Sequence, residues 1–496
     1  MSLATNKTKI VCTIGPASES VEIMRQMLDA GMNIARLNFS HGDFTGHRNA
    51  IINLRLAARE AGRTLTIMAD LPGPKMRIGQ LTEEPIELMK GDGFTLTTDQ
   101  IIGDRRHASV NFQRLPAVVR AGDFLFLNDG IIHLEVVKAE GTDVQCRVLD
   151  GGELRSRKGL NLPGIELGIS AFTEHDYDCL KCALESGADA VSQSFVETAA
   201  DIDAVRQAAA DLGFRPFIIA KIERAGALTH IDEILKVADG IMIARGDLGV
   251  ETPIERIAVL QKQLISRANL LGKPVITATQ MLESMVDHYH PTRAEATDVA
   301  NAIIDGTDCV MLSEESAMGR FPVESVKMLS RIASATEPYR SEICFSDAFS
   351  EYSGDCDPNL VGLISRNVKQ TVAHLAATAV IVPTFSGYTA RMISRFKLPV
   401  WIAAVSSEEA TCRGLQFCYG VKAVHVPEPI DDWNGFARDW VGSEGLQQGL
   451  VVLTAGSSRC TPRTNPRLEI IDLRADSSCE CLSSQTECKL HTVSRS

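Results

Sequence analysis

Short apolar runs alternate with amphipathic helical segments along most of the first 340 residues of the chain. The helical segments repeat apolar residues at a spacing of three and four, and several are followed by the glycine typical of a helix C-terminus. Regular alternation of this kind predicts parallel strands joined by crossover helices. Eight strands are predicted, at Lys9–Ile14, Asn33–Asn38, Leu65–Asp70, Ala188–Phe195, Pro216–Glu223, Gly240–Asp247, Pro274–Gln280 and Cys309–Glu315.

Eight strand-helix units in succession predict an α/β fold of the TIM (β/α)8 barrel class. Barrels of this class carry their chemistry at the C-terminal ends of the strands. Several of the predicted strands become polar at this end, which makes their last side chains candidate functional groups. These side chains are Arg36, Asn38, Asp70, Lys221, Glu223, Arg245, Asp247, Thr279 and Glu315.

The segment 216–247 concentrates charge in an otherwise apolar part of the pattern. Side chains alternate faces in a strand, so Lys221 shares a face with Glu223, and Arg245 is predicted to share one with Asp247. The two carboxylates belong to consecutive strands of one strand-helix-strand unit. Two hard oxygen ligands beside a lysine indicate a divalent metal and an anionic substrate, whereas surface ion pairs at the strand ends are the alternative.

About 90 residues without a convincing helical pattern interrupt the barrel between its third and fourth strands. Their apolar and polar residues alternate with period two between Gly and Asp turns, which predicts an inserted all-β domain. We expect the insertion to act as a lid, because it emerges from the face of the barrel that carries the candidate groups.

A second α/β pattern begins near residue 346 and predicts a separate doubly wound domain. Its loop 383–391 connects a strand end to a helix and is a candidate phosphate site, although many ordinary turns look the same. The predicted boundaries are 1–74 and 166–345 for the barrel, 75–165 for the lid, 346–475 for the C-terminal domain and 476–496 for a disordered tail.

Composition and charge narrow the possible functions. The chain has 496 residues, 45% of them hydrophobic, and a net charge of −13. A surplus of acidic residues argues against nucleic-acid and acidic membrane surfaces as partners, and no apolar run is long enough to span a bilayer. We therefore expect a cytoplasmic protein.

Thirteen cysteines are spread through the chain and are expected to be reduced. Cys179 and Cys182 form a CxxC within a helical pattern and are expected to pack rather than to bind zinc. His288 and His290 resemble a metal pair but are expected to lie in a solvated loop.

One barrel mouth would thus combine cations with carboxylates. Glu223 and Asp247 could share Mg²⁺ or Mn²⁺ with substrate oxygens, and Lys221 could neutralise charge on a phosphoryl group in transfer. Arg36, Arg77 and Arg245 supply further positive charge. Asn38, Ser40 and Asp70 form an oxygen cluster that could bind a monovalent cation. Thr279, Ser313 and Glu315 could relay protons. Structural alternatives remain for each group, including ion pairs, turn caps and polar rim positions.

From about residue 6 to about residue 473 the chain resembles pyruvate kinase. The resemblance is carried by KIVCTIGPAS, MNIARLNFSHG, GLNLPG, IIAKIE, GIMIARGDLGVE, ITATQMLESM and PTRAEATDVANAIIDGTDCVMLSEESAMGRFP, together with the predicted order of domains. It implies transfer of a phosphoryl group from phosphoenolpyruvate to ADP, which yields ATP and, after protonation of the enolate, pyruvate.

The resemblance also implies a role for individual residues. Lys221 would stabilise the transferring group, while Glu223 and Asp247 would bind the divalent metal. The residues that would contact phosphoenolpyruvate are Arg36, Gly246, Asp247 and Thr279. Those near the protonation path would be Thr279, Ser313 and Glu315. The nucleotide would be contacted by Asn38, Phe39, Ser40, His41, Arg77 and Lys158. The monovalent-cation ligands would be Asn38, Ser40, Asp70 and Leu71.

The chain departs from potassium-requiring members of the family at Lys75, where they carry a carboxylate. The ammonium of Lys75 could take the place of the cation charge, so we expect activity without K⁺. A second departure, Glu314 in place of a common glycine, leaves Glu315 in position.

The C-terminal domain resembles an effector domain, and its Thr384, Ser386, Gly387 and Thr389 match a region that binds phosphorylated effectors in regulated members. The resemblance further implies a homotetramer. Two rival functions remain: a metal-dependent phosphoenolpyruvate/pyruvate lyase or aldolase, and a catalytically inactive regulatory relative.

Overall fold

A computed structural model describes residues 3–128, 130–340, 360–455 and 467–474. Eight parallel strands close into a barrel in which each strand pairs with its neighbours in chain order and the first pairs with the eighth. The fold class predicted from the sequence is therefore confirmed. The barrel strands are Lys9–Thr13, Met32–Asn38, Thr66–Leu71, Ala190–Gln193, Phe217–Ile222, Gly240–Ala244, Val275–Ala278 and Cys309–Leu312.

The helices of the barrel pack their apolar faces against the outside of the strands. Capping explains several of the boundaries: Ser20 and Asp43 accept hydrogen bonds from backbone amides of the helices that follow, and Thr173 and Thr292 form capping boxes. The helices are Val21–Ala30, Phe44–Ala61, Glu174–Glu185, Ala199–Asp211, Ala225–Thr229, Ile231–Val237, Arg245–Glu251, Ile257–Leu270, Arg293–Asp305, Glu314–Ala317 and Pro322–Thr336, with 3₁₀ turns at Ile254–Arg256, Glu283–Val286 and Glu337–Tyr339.

Six barrel strands end earlier than predicted, and two of these ends change where polar side chains lie. The sixth stops at Ala244 and a helix begins at Arg245, so Arg245 and Asp247 do not share a strand face. The seventh stops at Ala278, because Thr279 and Gln280 adopt left-handed φ angles of 68° and 52°. The polar residues are thus placed by the turns that follow the strands.

Between the third and fourth barrel strands lies a β-rich insertion with its own apolar core. It contains one short helix, Leu115–Val118, which the sequence pattern did not predict. A six-stranded sheet and a two-stranded sheet make up the rest. Their strands are Ile86–Leu88, Gly93–Thr97, His107–Ser109, Phe124–Leu127, Ile132–Glu140, Asp143–Asp150, Gly152–Leu154 and Leu160–Asn161.

The C-terminal domain is a five-stranded sheet flanked by helices, and its first strand lies in the middle. In sheet order the strands are Val421–His425, Trp401–Ser406, Ala379–Pro383, Leu450–Ala455 and Arg467–Asp472, the last of them antiparallel. Its helices are Leu360–Leu375, Tyr388–Ser394, Glu409–Gly414 and Trp433–Ser443, with a 3₁₀ turn at Leu415–Phe417.

The C-terminal domain packs against the N-terminal end of the barrel. Phe417 of this domain is fully buried among residues of the barrel interior and stacks on Phe217, with ring centroids 5.1 Å apart. The barrel is thus closed at one end by a side chain from another domain. The opposite end, where the strands terminate, carries the candidate site.

Among the described residues, no helix is long and apolar enough to cross a membrane. Cys179 and Cys182 are buried on the helix Glu174–Glu185, whereas His288 and His290 lie in an exposed segment. The cysteine-containing tail at 476–496 lies outside the described residues.

Candidate active site

Strand register brings the first polar groups of the site together. Asn38 pairs with Asp70 across the second and third strands, and Asp70 pairs with Ser192 across the third and fourth. These three side chains therefore form one row at the C-terminal end of the barrel.

Asp70 is the buried centre of this row. Its Oδ2 accepts hydrogen bonds from Arg36 Nε at 2.9 Å and Nη2 at 2.5 Å, and its Oδ1 accepts one from Ser192 Oγ at 2.6 Å. Burial alone would raise the pKa of Asp70, but Lys221, Arg36 and the hydrogen bonds together lower it. Asp70 therefore stays ionised and holds the Arg36 guanidinium in place.

Lys221 projects from the fifth strand into the same cluster. Its Nζ donates a hydrogen bond to Ser194 Oγ at 2.7 Å and lies 3.3 Å from Glu223 Oε2 and 3.6 Å from Asp70 Oδ2. Burial lowers the pKa of Lys221, but Asp70 and Glu223 more than offset this and leave it raised. The ammonium is thus charged and held by three oxygen atoms.

Glu223 has one satisfied oxygen and one unsatisfied oxygen. Oε1 accepts a hydrogen bond from Phe195 N at 2.7 Å, whereas Oε2 is buried and forms no hydrogen bond with the described residues. Burial raises the pKa of Glu223, and the charge of Asp247 raises it further against the opposing effect of Lys221. A second cation near Oε2 would relieve this cost, so the pair of carboxylates fits a divalent metal.

The described residues contain no cluster of three or more His, Cys, Asp or Glu side chains that could hold a metal. Glu223 and Asp247 could supply two ligands, and substrate or water oxygens would then complete the coordination.

The sequence pattern predicted that Arg245 would point into this cluster, but the side chain points away from it. Its Nη1 contacts both carboxylate oxygens of Asp298, at 2.8 and 2.7 Å. Its Nη2 donates to the carbonyl oxygen of Thr279 at 2.8 Å, and its Nε to that of Ala278 at 3.2 Å. The helix that begins at Arg245 turns the side chain away, and Arg245 instead supports the end of the seventh strand.

Thr279 and Gly246 meet where the sixth and seventh strands end. Thr279 Oγ1 accepts a hydrogen bond from Gly246 N at 2.8 Å and donates one to the carbonyl of Ala278 at 2.7 Å. This bond fixes the start of the helix Arg245–Glu251, which carries Asp247 in its first turn.

The carboxylate of Glu315 accepts hydrogen bonds from two nearby backbone amides. Its Oε1 accepts from Leu282 N at 3.0 Å and its Oε2 from Ser313 N at 2.7 Å. Burial raises the pKa of Glu315, although these hydrogen bonds oppose the effect. The carboxylate therefore positions the turn that carries Ser313.

A second group of cations lies beside the segment Asn38–His41. The pKa of His41 is lowered by burial first and then by the charges of Arg77, Lys75 and Arg36. The backbone of Lys158 is adjacent to this group, since Ile78 N donates to its carbonyl at 3.0 Å. The insertion thus contributes to the positive surface near the barrel mouth.

Three of the four residues predicted to bind a monovalent cation, Asn38, Asp70 and Leu71, already accept hydrogen bonds through the relevant oxygens. Asn38 Oδ1 accepts from Ser40 N at 3.2 Å, and the carbonyl of Leu71 accepts from Ser194 Oγ at 2.6 Å. Both oxygens of Asp70 are also engaged.

Sequence reasoning missed three hydroxyl groups that organise the site: Thr13, Ser192 and Ser194. Thr13 Oγ1 accepts from Arg36 Nη1 at 2.9 Å, and the two serines hold Asp70 and Lys221. The rule that selected the other residues would have found the two serines, because VSQSF at 191–195 also becomes polar at its C-terminal end.

The segment 384–389 of the C-terminal domain is a tight turn that runs into the first residues of the helix Tyr388–Ser394. Gly387 is left-handed, with φ 75°, and its N–H donates to Thr384 Oγ1 at 3.0 Å. Arg391 Nη1 donates to the carbonyl of Ser386 at 3.2 Å. The loop follows the central strand Ala379–Pro383, where the order of the parallel strands reverses.

Comparison with known proteins gives a consistent family. The family model described as "Pyruvate kinase, barrel domain" matches residues 5–326, and "Pyruvate kinase, alpha/beta domain" matches residues 363–471. A pyruvate kinase from Thermococcus litoralis is 46% identical over 438 residues, which cover 87% of this chain and 91% of that protein. One from Geobacillus stearothermophilus is 42% identical over 457 residues, which cover 91% and 77%.

A solved structure shares the whole architecture. The crystal structure of a pyruvate kinase from Cryptosporidium parvum superposes with a TM-score of 0.86 at 35% identity, covering 95% of this chain and 96% of that one.

Proposed function

The chain belongs to the pyruvate kinase family of phosphotransferases, and we propose that Mg²⁺ or Mn²⁺ supports its transfer of a phosphoryl group from phosphoenolpyruvate to ADP. The observation that carries the metal assignment is the buried Oε2 of Glu223, which forms no hydrogen bond with the described residues and has its ion-pair contact with Lys221 Nζ at 3.3 Å. A divalent ion bound by Glu223 and Asp247 would neutralise charge on substrate oxygens.

The side chains of the site divide the remaining work. Lys221 is charged and lies beside Glu223, so it would stabilise the phosphoryl group as it moves. Arg36, held by Asp70, would bind the phosphate of phosphoenolpyruvate. The N–H at Gly246 and the hydroxyl of Thr279 would orient the substrate, with Asp247 binding metal. Thr279 and Ser313, the latter in the turn held by Glu315, would lie on the path by which the enolate is protonated.

The nucleotide would bind beside the cations that surround His41. Arg77 and Lys158 of the insertion would contact ADP, together with the turn Asn38–His41. Movement of the insertion toward the barrel would then bring its cations to the phosphates and exclude water.

We propose that K⁺ is not required. Lys75 contributes positive charge beside the turn Asn38–His41, and the oxygens of Asn38, Asp70 and Leu71 already accept hydrogen bonds. The ammonium of Lys75 would supply the charge that a monovalent cation would otherwise bring.

The central test mixes purified protein with phosphoenolpyruvate, ADP and Mg²⁺ and follows pyruvate with a coupled dehydrogenase. ADP-dependent pyruvate formation is expected. Pyruvate formation without ADP would favour the lyase alternative, and no pyruvate at all would favour the inactive one.

Potassium is tested in tetramethylammonium buffer with and without KCl. Wild type should keep most of its rate without K⁺, whereas Lys75→Glu should become K⁺-dependent. Lys90→Glu, an exposed position in the insertion, serves as the charge-matched control. Loss of nearly all wild-type rate without K⁺ would contradict the proposal.

Three further assignments follow the family. The loop formed by Thr384, Ser386, Gly387 and Thr389 would bind a phosphorylated effector on its backbone amides. The chain would act as a homotetramer in the cytoplasm. Sedimentation analysis with and without sugar phosphates would test the assembly and the effector together.

A further inference from the structure

Arg224 directly follows Glu223 and is buried, with 4% of its side chain exposed. It is not among the groups assigned above to substrate, metal or nucleotide. Burial of a cation costs hydration, which the contacts of the side chain must offset. The contacts of Arg224 therefore indicate which parts of the molecule this residue holds in place.

The first contact of Arg224 is with the insertion. Its Nη2 donates a hydrogen bond to the carbonyl oxygen of Ile165 at 2.9 Å, and Ile165 packs against the apolar core of the insertion. The other connection of the insertion is held in a comparable way, because Asp176 Oδ1 accepts a hydrogen bond from Gly73 N at 2.8 Å. Each connection is thus bound by a buried charged side chain of the barrel.

The second contact of Arg224 is with Glu251. Arg224 Nε lies 3.8 Å from Glu251 Oε2, and the same oxygen accepts a hydrogen bond from Ala225 N at 3.4 Å. Glu251 ends the helix that carries Asp247 in its first turn. Glu251 therefore joins the segment that follows Glu223 to the helix that carries the other proposed metal ligand.

The contact between Arg224 and Glu251 is longer than a hydrogen bond. Arg224 Nε is buried and has no hydrogen-bond acceptor among the residues that the structure describes. A buried N–H without an acceptor is costly, so a movement that brought Glu251 closer to Arg224 would be favourable. The pair can therefore respond to a shift of either segment.

The charge of Arg224 acts on Glu251 more than on Glu223. Burial raises the pKa of Glu251 to about 7, and Arg224 is the charge that opposes this rise most, whereas Glu197 and Glu223 add to it. Burial also raises the pKa of Glu223, but the charges that act on it most are those of Lys221, Asp247 and Asp70. Arg224 would thus affect a metal at Glu223 through the position of the chain rather than through its own charge.

We propose that Arg224 is a positioning residue that sets the separation of Glu223 and Asp247 and links this separation to the position of the insertion. The inference rests on the proposed metal site. A guanidinium suits this role, because its fork of donors can contact two groups at once, whereas an ammonium is a point charge. Since linkage is reciprocal, a metal bound at the two carboxylates would in turn stabilise the connection at Ile165.

Binding of Mn²⁺ to the full-length protein tests the proposal, with free Mn²⁺ followed by electron paramagnetic resonance at about pH 8, where Glu251 is ionised. Arg224→Met should raise the Kd for Mn²⁺ by about tenfold. Arg224→Lys keeps the charge but cannot make both contacts, so it should raise the Kd by at least about threefold.

Arg206→Met is the matched control and should retain wild-type affinity for Mn²⁺. Arg206 also contacts a backbone carbonyl and a carboxylate, those of Val237 and Asp239, but at the opposite end of the strands. A second measurement addresses the insertion. Amide hydrogen exchange of residues 163–168 should slow when Mn²⁺ binds to wild type, and this slowing should be lost in Arg224→Met.

Wild-type affinity in folded Arg224→Met or Arg224→Lys would overturn the proposal, as would an equal loss of affinity in Arg206→Met or an equal slowing of exchange in wild type and Arg224→Met. If Arg224→Met does not fold, Glu251→Gln should raise the Kd by about threefold, and an unchanged Kd in that variant would also overturn the proposal.

Failure of the metal site itself would give a different result. Wild type would then not bind Mn²⁺, or Glu223→Gln would bind it as tightly as wild type. Either result would overturn the metal assignment together with the role of Arg224, whereas unchanged affinity in Arg224→Met alone would overturn only that role.

Discussion

Individual charges in the active site are held by opposite charges and hydroxyl groups. Lys221 contacts Ser194, Glu223 and Asp70, and Asp70 in turn holds Arg36. Each ion is buried with its partners, so the loss of one leaves the others uncompensated. Substitution at a single residue should therefore affect both charge and catalysis.

We expect Lys221→Met to lower kcat by about 10³-fold, because it removes the cation that we propose stabilises the transferring group. The Michaelis constant for phosphoenolpyruvate should change far less. Lys236→Met, at an exposed helical position, is the control and should keep full activity. A wild-type rate in Lys221→Met would refute the role assigned to this lysine.

Glu251 makes stability depend on pH. Burial raises its pKa from 4.5 to about 7 against the opposing charge of Arg224. Because the folded protein binds this proton more tightly than the unfolded chain, stability should fall as pH rises from about 4.5 to about 7, and remain lower above that. Over this range the loss would reach about 3 kcal/mol.

Glu251→Gln should therefore reduce the difference between the melting temperatures at about pH 5 and about pH 8. Calorimetry at both pH values measures it. Glu255→Gln, at an exposed position nearby, should leave the difference unchanged. An equal pH dependence of the melting temperature in wild type and Glu251→Gln would show that Glu251 does not cause the loss of stability.

At the scale of elements, the ends of the sixth and seventh strands are linked through Arg245. The guanidinium binds Asp298 of a neighbouring helix and the carbonyls of Ala278 and Thr279. It thereby holds the turn in which Thr279 accepts a hydrogen bond from Gly246 N. Arg245 is a positioning residue for this part of the site.

We expect Arg245→Met to raise the Michaelis constant for phosphoenolpyruvate more than it lowers kcat, because Thr279 and Gly246 lose their support. A double-mutant cycle with Asp298→Asn should show a coupling of about 1 kcal/mol in kcat/KM. Arg256→Met, at an exposed position, is the control. Additive effects would show that the two residues act independently.

The order of elements was predictable from sequence, but their ends were not. The period of apolar residues identified eight strands, since each must bury its side chains inside the barrel and against helices. The left-handed turn at Thr279 and the helix start at Arg245 depend on contacts with Asp298, which is distant in sequence. Local sequence patterns do not reveal contacts between residues that are distant in the chain.

At the scale of the whole molecule, the barrel and the C-terminal domain share buried polar contacts. Lys397 pairs with Asp308, and Asp308 also accepts hydrogen bonds from Tyr419 N and Val275 N. Lys9 Nζ donates to the carbonyl of Val421 at 2.7 Å. The two domains are thus joined by groups that are removed from water.

Lys397→Met should destabilise the protein by about 3–5 kcal/mol, because Asp308 would remain buried without its cation. A lower melting temperature measures the effect, and Lys397→Met/Asp308→Asn should recover part of it. Lys327→Met, at an exposed position, should change little. A melting temperature equal to that of wild type in Lys397→Met would show that the pair contributes nothing.

The sequence alone determined the barrel, the β insertion, the C-terminal domain and the polar strand ends, because periodicity and strand order follow from which residues must be buried. The tertiary structure decided the directions of Arg245 and Glu315, the roles of Thr13, Ser192 and Ser194, and the buried polar contacts between the domains. These features depend on residues far apart in the chain, and their distances and burial exist only once the domains have packed.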